Sequence, residues 1–210
     1  MIGILGGTFD PVHHGHLRVA LEVRQRLHME SVHLIPSARP PHRGEPQASA
    51  ELRFQMLQVA IVDTEGLLAD DRELRRPGAS YMVDTLAELR AEKPQQPLAL
   101  ILGMDAFRGL HHWHQWQKLI EFAHLVVVYR PETSIPIEPE IQQFLVKYQT
   151  RKPKRLRQQL SGRVLLQEIP ALTVSSTRIR MQVANGENPR YLLPDASLAL
   201  ITQHQLYMKA

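Results

Sequence analysis

Cysteine is absent from the 210-residue chain. That excludes a disulfide framework and thiolate metal sites, and leaves nitrogen, oxygen or the substrate itself to hold any metal. Long apolar runs are missing too. No stretch approaches the ~20 residues of a membrane span, and the opening "MIGILGGTFD" has neither the basic region nor the small-residue cleavage site of a secretory leader. Repeats and low-complexity tracts are lacking, so the expectation is one domain over residues 1–210 of a protein that stays in the cytoplasm. Strong charge of one sign is lacking as well. The 25 basic and 21 acidic residues leave a net +4, which suits anionic small molecules but is not the footprint of a nucleic-acid binder.

What is there is an alternation of two patterns. Short β-branched or aliphatic runs recur at 2–5, 31–36, 67–70, 98–103, 125–130 and 164–169. Several are apolar at consecutive positions, the mark of strands covered on both faces. Between them, helical spacing runs through 15–27, 50–63, 80–93 and 116–123. Strands alternating with helices predict a doubly wound parallel α/β sheet with helices on both faces. The chain then predicts a C-terminal helical part over about 175–210: one helix capped by Ser175 or Ser176 and stopped at Asn185-Gly186, and a last one over roughly 195–207 after Pro194.

Two stretches, 37–49 and 130–140, read as loops, and the run "TRKPKRLRQQ" (150–159) gathers Arg151, Lys152, Lys154, Arg155 and Arg157. No aromatic is interleaved there for base stacking, so a solvated loop or helix face is the expectation rather than a nucleic-acid site.

In an open α/β sheet, ligands bind beyond the carboxyl ends of the strands. The first strand ends in "GGTFDPVHHGHL" (6–17). Glycines there let backbone N–H groups approach a phosphate, with a helix N-terminus behind them. The spacing matches neither the dinucleotide-binding nor the P-loop pattern. His13 and His16, at i and i+3 across Gly15, face one way. Such a pair either caps and packs a helix start or donates N–H groups to phosphate oxygens, the second being what phosphoryl or nucleotidyl transfer needs. A zinc pair is the rival chemistry, but the glutamate of H-E-x-x-H and a third ligand are missing. Far along the chain, "SSTRIR" (175–180) opens a helix with Ser175, Ser176 and Thr177 ahead of Arg178 and Arg180, a second anion-receiving terminus or an ordinary cap.

The two segments together resemble the H-x-G-H and S-S-T-x-x-R signatures of the nucleotidyltransferase superfamily. Within it, "PPHR" (40–43), "RELRRPGASYMVDTL" (72–86), "LILGMDAF" (100–107), Trp113 and "VVVYRP" (126–131) are similar to bacterial nicotinate-mononucleotide adenylyltransferases. The resemblance covers about residues 2–207. It implies a Rossmann-like fold and transfer of the AMP part of ATP to nicotinate mononucleotide. The products would be deamido-NAD and pyrophosphate, with Mg²⁺ brought on the ATP phosphates and no metal ligand from the protein. Nicotinamide mononucleotide and phosphopantetheine remain alternative acceptors, and oligomeric state is left open.

By the same resemblance, His13, His16 and Arg180 carry the catalysis. Gly6, Gly7, Thr8, Phe9, Arg43, Gly103, Asp105, Arg130, Ser175, Ser176 and Thr177 join them in binding ATP, and Arg43 would arrive on a closing loop. Gly7, Thr8, Thr85 and Trp113 would bind nicotinate mononucleotide, the indole stacking on the ring and Thr85 meeting the carboxylate. Taken alone, Trp113 is equally a packing residue and Asp105 a helix cap. His111, His112 and His114 receive no catalytic role. Met82 departs from the threonine usual in the family's "SYT" and bears on packing near the nicotinate pocket.

Overall fold

The computed structural model describes residues 1–40, 44–130, 138–170 and 172–209. Six strands, β1 (Ile2–Gly7), β2 (Ser31–Pro36), β3 (Leu67–Ala69), β4 (Leu98–Gly103), β5 (His124–Tyr129) and β6 (Val164–Glu168), form one parallel sheet in the order β3-β2-β1-β4-β5-β6. Each predicted run yields a strand, two of them (31–36 and 98–103) with unchanged ends and the others with ends shifted by one or two residues.

Between and after the strands lie α1 (His14–Arg26), α2 (Ala50–Ile61), α3 (Arg72–Arg75), α4 (Met82–Glu92), α5 (Met104–Arg108), α6 (Leu119–Phe122), α7 (Pro139–Tyr148), α8 (Arg155–Gln158), α9 (Ser176–Ala184) and α10 (Asp195–Gln203). The strands' two-residue period divides the core. Leu5, Leu34, Ile101 and Val126 face a cluster with Val23 of α1, Met56 of α2, Ile179 of α9 and Ile201 of α10. Ile4, Ile35, Leu100 and Val127 face another with Leu86 of α4, Phe107 of α5, Ile120 of α6 and Phe144 of α7. Helices therefore cover both faces, as the apolar strands require. No described helix is long and apolar enough to cross a membrane.

Three local expectations are corrected. The loop expected over 130–140 gives way at Pro139, which occupies the first turn of α7, where its missing N–H costs nothing; Ile141, Phe144 and Leu145 bury one face of that helix. Residues 131–137 lie outside the described set. The predicted helix at 116–123 splits into a 3₁₀ turn (Trp116–Lys118) and the short α6. The last helix ends at Gln203, and the chain turns back so that Tyr207, at φ +64°, is buried.

The basic run is a solvated face, with Arg151, Lys152, Lys154, Arg155 and Arg157 all exposed. Leu156 of α8 is buried, and Arg157 donates through Nη2 to the carbonyls of Leu27 (2.6 Å) and His28 (3.1 Å). It thus closes the carboxyl end of α1, where a cation meets the negative end of the helix dipole.

Candidate active site

Strand order reverses between β1 and β4, which leave the sheet side by side and send their chains to opposite faces. β1 ends at Gly7 and β4 at Gly103, so both glycine ends open into the crevice between them. Two adjoining cavities occupy it. A polar one of about 980 Å³ is lined by Gly6–Phe9, His13, His16, Gly103, Asp105, Arg130, Ser175–Thr177 and Arg180. An apolar one of about 400 Å³ holds Trp113, Tyr81, Met82, His114 and Glu73. Gly6, Gly7, Thr8, His16 and Gly103 belong to both.

The histidines sit where the chain enters α1. His13 is its N-cap, and Nδ1 of His13 accepts from the His16 N–H (3.4 Å) while Nδ1 of His16 accepts from the His13 N–H (3.3 Å). This reciprocal box, an imidazole version of the usual hydroxyl–carboxylate one, stacks the rings 3.6 Å apart and 16° from parallel. Capping and phosphate binding, alternatives in the sequence, are compatible here. An Nδ1 that accepts leaves the proton of a neutral ring on Nε2, so each ring keeps one N–H donor away from the helix. Burial lowers the His13 pKa to about 4, because a cation is poorly solvated there. A Cβ on Gly15 would stand 3.0 Å from the His13 ring, which is why glycine separates the two histidines. Phe9, in the left-handed region at φ +49°, sets its ring edge-on to His16 at 4.9 Å.

The distant serine-rich segment docks on the same bend. Ser175 caps α9 by accepting from the Arg178 N–H (3.3 Å), Ser176 Oγ donates to the Pro11 carbonyl (2.9 Å), and Arg180 Nη1 donates to the Asp10 carbonyl (2.6 Å). Two helix N-termini, those of α1 and α9, thereby border one polar cavity, a setting made for anions. Asp105 caps nothing, since Gly103 is the N-cap of α5. Its carboxylate is 98% exposed and 3.4 Å from Arg108.

Thr85 is the exception among the expected residues. It is fully buried and lines neither cavity; its hydroxyl donates to Glu73 Oε1 (2.7 Å) and accepts from Arg76 Nη2 (2.9 Å). Spacing on α4 cannot reveal that Thr85 faces α3 while Met82, one turn earlier, faces the cavity. Met82 does line the apolar cavity, and it lies over Gly6, where any side chain would collide with its methyl. Arg43 lies outside the described residues.

Sequence reasoning missed two residues that hold this site. Asp10, 5% exposed, accepts from the N–H groups of Gln47 (3.0 Å) and Ala48 (3.2 Å) and from the Tyr207 hydroxyl (2.7 Å). Arg53 of α2, 1% exposed, donates to the carbonyls of Thr8 (2.6 Å), Ser37 (2.7 Å), Ala48 (3.1 Å) and Ala38 (3.4 Å). Between them they fix both described ends of the 37–49 segment to the exit of β1. An arginine in the first turn of a largely apolar helix, "ELRFQMLQVAI", was the available signal.

Among the described residues no group of three or more His, Asp or Glu side chains is placed to hold a metal ion. The donor set is one of N–H groups and cations, and it faces anions.

Comparisons with known proteins agree with this geometry. The profile of the cytidylyltransferase-like family matches residues 4–182. The chain is 45% identical over 210 residues to a probable nicotinate-nucleotide adenylyltransferase of Methylococcus capsulatus, covering 100% of both chains. It is 43% identical to one of Aeromonas hydrophila, covering 100% of this chain and 98% of the relative. Among solved structures, Plasmodium falciparum nicotinic acid mononucleotide adenylyltransferase complexed with NaAD superposes with TM-score 0.74 at 16% identity, over 98% of this chain and 96% of that one. A putative nicotinate-nucleotide adenylyltransferase from Vibrio parahaemolyticus gives TM-score 0.65 at 16% identity, over 100% and 96%. At such identity these two likenesses speak for the fold.

Proposed function

The chain belongs to the nicotinate-nucleotide adenylyltransferases of the cytidylyltransferase-like family, and from that premise we propose that it joins the adenylyl group of Mg–ATP to nicotinate mononucleotide, releasing deamido-NAD and pyrophosphate in NAD biosynthesis in the cytoplasm. One observation carries the reading. The stacked His13–His16 pair and Arg180 border a polar cavity that shares its glycine floor with an apolar cavity holding Trp113. A triphosphate fits the first and a pyridine ring the second, with the two reacting phosphates meeting over Gly6–Thr8.

In this reading an oxygen of the acceptor's 5′-phosphate bonds to the α-phosphorus of ATP while the bond to the bridging oxygen breaks, and the electron pair leaves with pyrophosphate. No protein nucleophile takes part. Nε2–H donors of His13 and His16 meet the charge that builds on the phosphate oxygens. Because burial keeps His13 neutral, it acts there as a fixed dipole rather than a proton donor. Arg180, pinned by the Asp10 carbonyl, offers its guanidinium to the β,γ-phosphates, Ser175 and Thr177 their hydroxyls, and Ser176, whose hydroxyl is given to the Pro11 carbonyl, its place in the α9 N-terminus. Gly103, Asp105 and Arg130 border the adenosine side. The metal travels with the triphosphate as part of the substrate.

On the acceptor side Trp113 stacks on the ring. Thr85 is removed from direct contact by its bond to Glu73 and acts through that carboxyl. The test is pyrophosphate release from ATP with nicotinate mononucleotide, nicotinamide mononucleotide and phosphopantetheine supplied in turn. Preference for the nicotinate form is expected, and preference for either of the others overturns the reading.

A further inference from the structure

Glu73 is 3% exposed and lines the apolar cavity. Its Oε1 takes the Thr85 hydroxyl, but its buried Oε2 has no hydrogen-bond partner. Ser80, whose oxygen accepts from the Ala38 and Arg39 N–H groups, stands near enough to draw the carboxyl down but leaves Oε2 without a hydrogen bond. Arg76 hydrogen-bonds to Thr85 and not to Glu73, its guanidinium being engaged also with Glu88 (3.2 Å) and the Tyr81 carbonyl (3.4 Å), although its charge draws the Glu73 carboxyl down. Burial pushes the Glu73 carboxyl up, as expected where an apolar wall solvates a charge poorly. A half-satisfied carboxylate in such a wall costs stability, and a ligand of opposite charge removes that cost.

The acceptor proposed above has that charge. Attachment of ribose to the pyridine nitrogen makes the ring a pyridinium cation. We propose that Glu73 is the counter-charge for this ring, a specificity residue that selects oxidised, cationic pyridine nucleotides in the cavity faced by Trp113. The inference rests on the pyridine-nucleotide reading. It assigns Thr85 the task of orienting Glu73, and it separates two kinds of recognition. Trp113 reads the ring's flat face, attractive to any aromatic ring and more so to a cation. Glu73 reads charge alone.

The experiment compares nicotinate mononucleotide with its ring-reduced dihydropyridine form, which keeps ribose, phosphate and carboxylate but loses the ring charge. Binding to the whole protein is followed by calorimetry without ATP. The wild type is expected to bind the oxidised form about tenfold or more tightly than the reduced one, as an unscreened contact between opposite charges implies. Glu73→Gln should collapse most of that ratio and raise the KM for nicotinate mononucleotide, with the KM for ATP unchanged. Trp113→Leu should weaken both forms and, because the indole also favours a cation, lower the ratio only in part, leaving the share that Glu73 supplies. Equal affinity of the wild type for both ring states, an unchanged ratio in Glu73→Gln, or complete loss of the ratio in Trp113→Leu each overturns the proposal. The Trp113 variant decides the matter even if Glu73→Gln fails to fold. If nicotinate mononucleotide is no acceptor in the pyrophosphate assay, the functional reading fails first. If it is an acceptor and the ratio is absent, only the role of Glu73 fails.

Discussion

In the proposed function His13 carries two tasks with one ring: Nδ1 closes the first turn of α1, and Nε2 serves the ligand. The consequence is an acid-sensitive fold. Its imidazole binds a proton near pH 6.5 when unfolded but only near 4 when folded. Between these values the unfolded chain holds more protons, so stability is full above pH 6.5 and declines as pH falls toward 4. Burial lowers His124 as well, which adds to the same slope. Asparagine is an equally good N-cap without a titrating ring. His13→Asn should therefore flatten the fall in Tm between pH 6.5 and 4, while turnover is lost. His16 has a narrower role. His16→Ala should lower kcat by about a hundredfold or more, as removal of an oxyanion-type donor does, with the circular-dichroism spectrum of the wild type retained. Wild-type turnover from that variant removes the ring from the mechanism.

Arg53 belongs to the scale of elements, since it joins the ends of β1 and β2 to the start of α2 through four carbonyls. Arg53→Met keeps much of the side chain's bulk and strands those oxygens. The expected loss is on the order of 3 kcal/mol, or roughly 5–10 °C in Tm for a chain of this size. A calorimetric scan checks it, and kcat/KM should fall beyond the stability loss because Thr8 is no longer held. The same scale shows what was readable. Every strand and the helices α1, α2, α4 and α9 follow from apolar runs, helical spacing and caps in "SVHLIP", "LALILG" or "SSTRIR". α7 was readable at Ile141, Phe144 and Leu145 but hidden by the proline-rich approach to it. α3 and α8, four residues each, are too short to carry a period, and tertiary contacts alone hold them: Arg72 clasps Asp70 (2.9 Å) and Glu92 (3.2 Å), and Arg157 clasps the end of α1.

For the whole molecule, the proposed function has the divalent cation enter with the nucleotide and none resident in the protein. A chelator should abolish adenylyl transfer and leave the Tm of the nucleotide-free protein unchanged; a Tm that drops on chelation points to a resident ion instead. Binding of Mg–ATP should raise stability by about 2.7 kcal/mol at a hundredfold excess over Kd, seen as a concentration-dependent rise in Tm.

The sequence by itself determined the layered sheet, the two motif segments at 6–17 and 175–180 and the family, because apolar period, caps and glycine bends are local properties that a chain writes in consecutive residues. Only the tertiary structure decided that Thr85 turns to Glu73 instead of the cavity, and that Asp10 gathers Tyr207 and the 47–48 backbone. It also decided that Arg157 caps a helix 130 residues earlier. Each of those is a buried polar group finding a partner far along the chain. Which partner it finds depends on how the layers stack, since burial forces the pairing and local spacing carries no record of it.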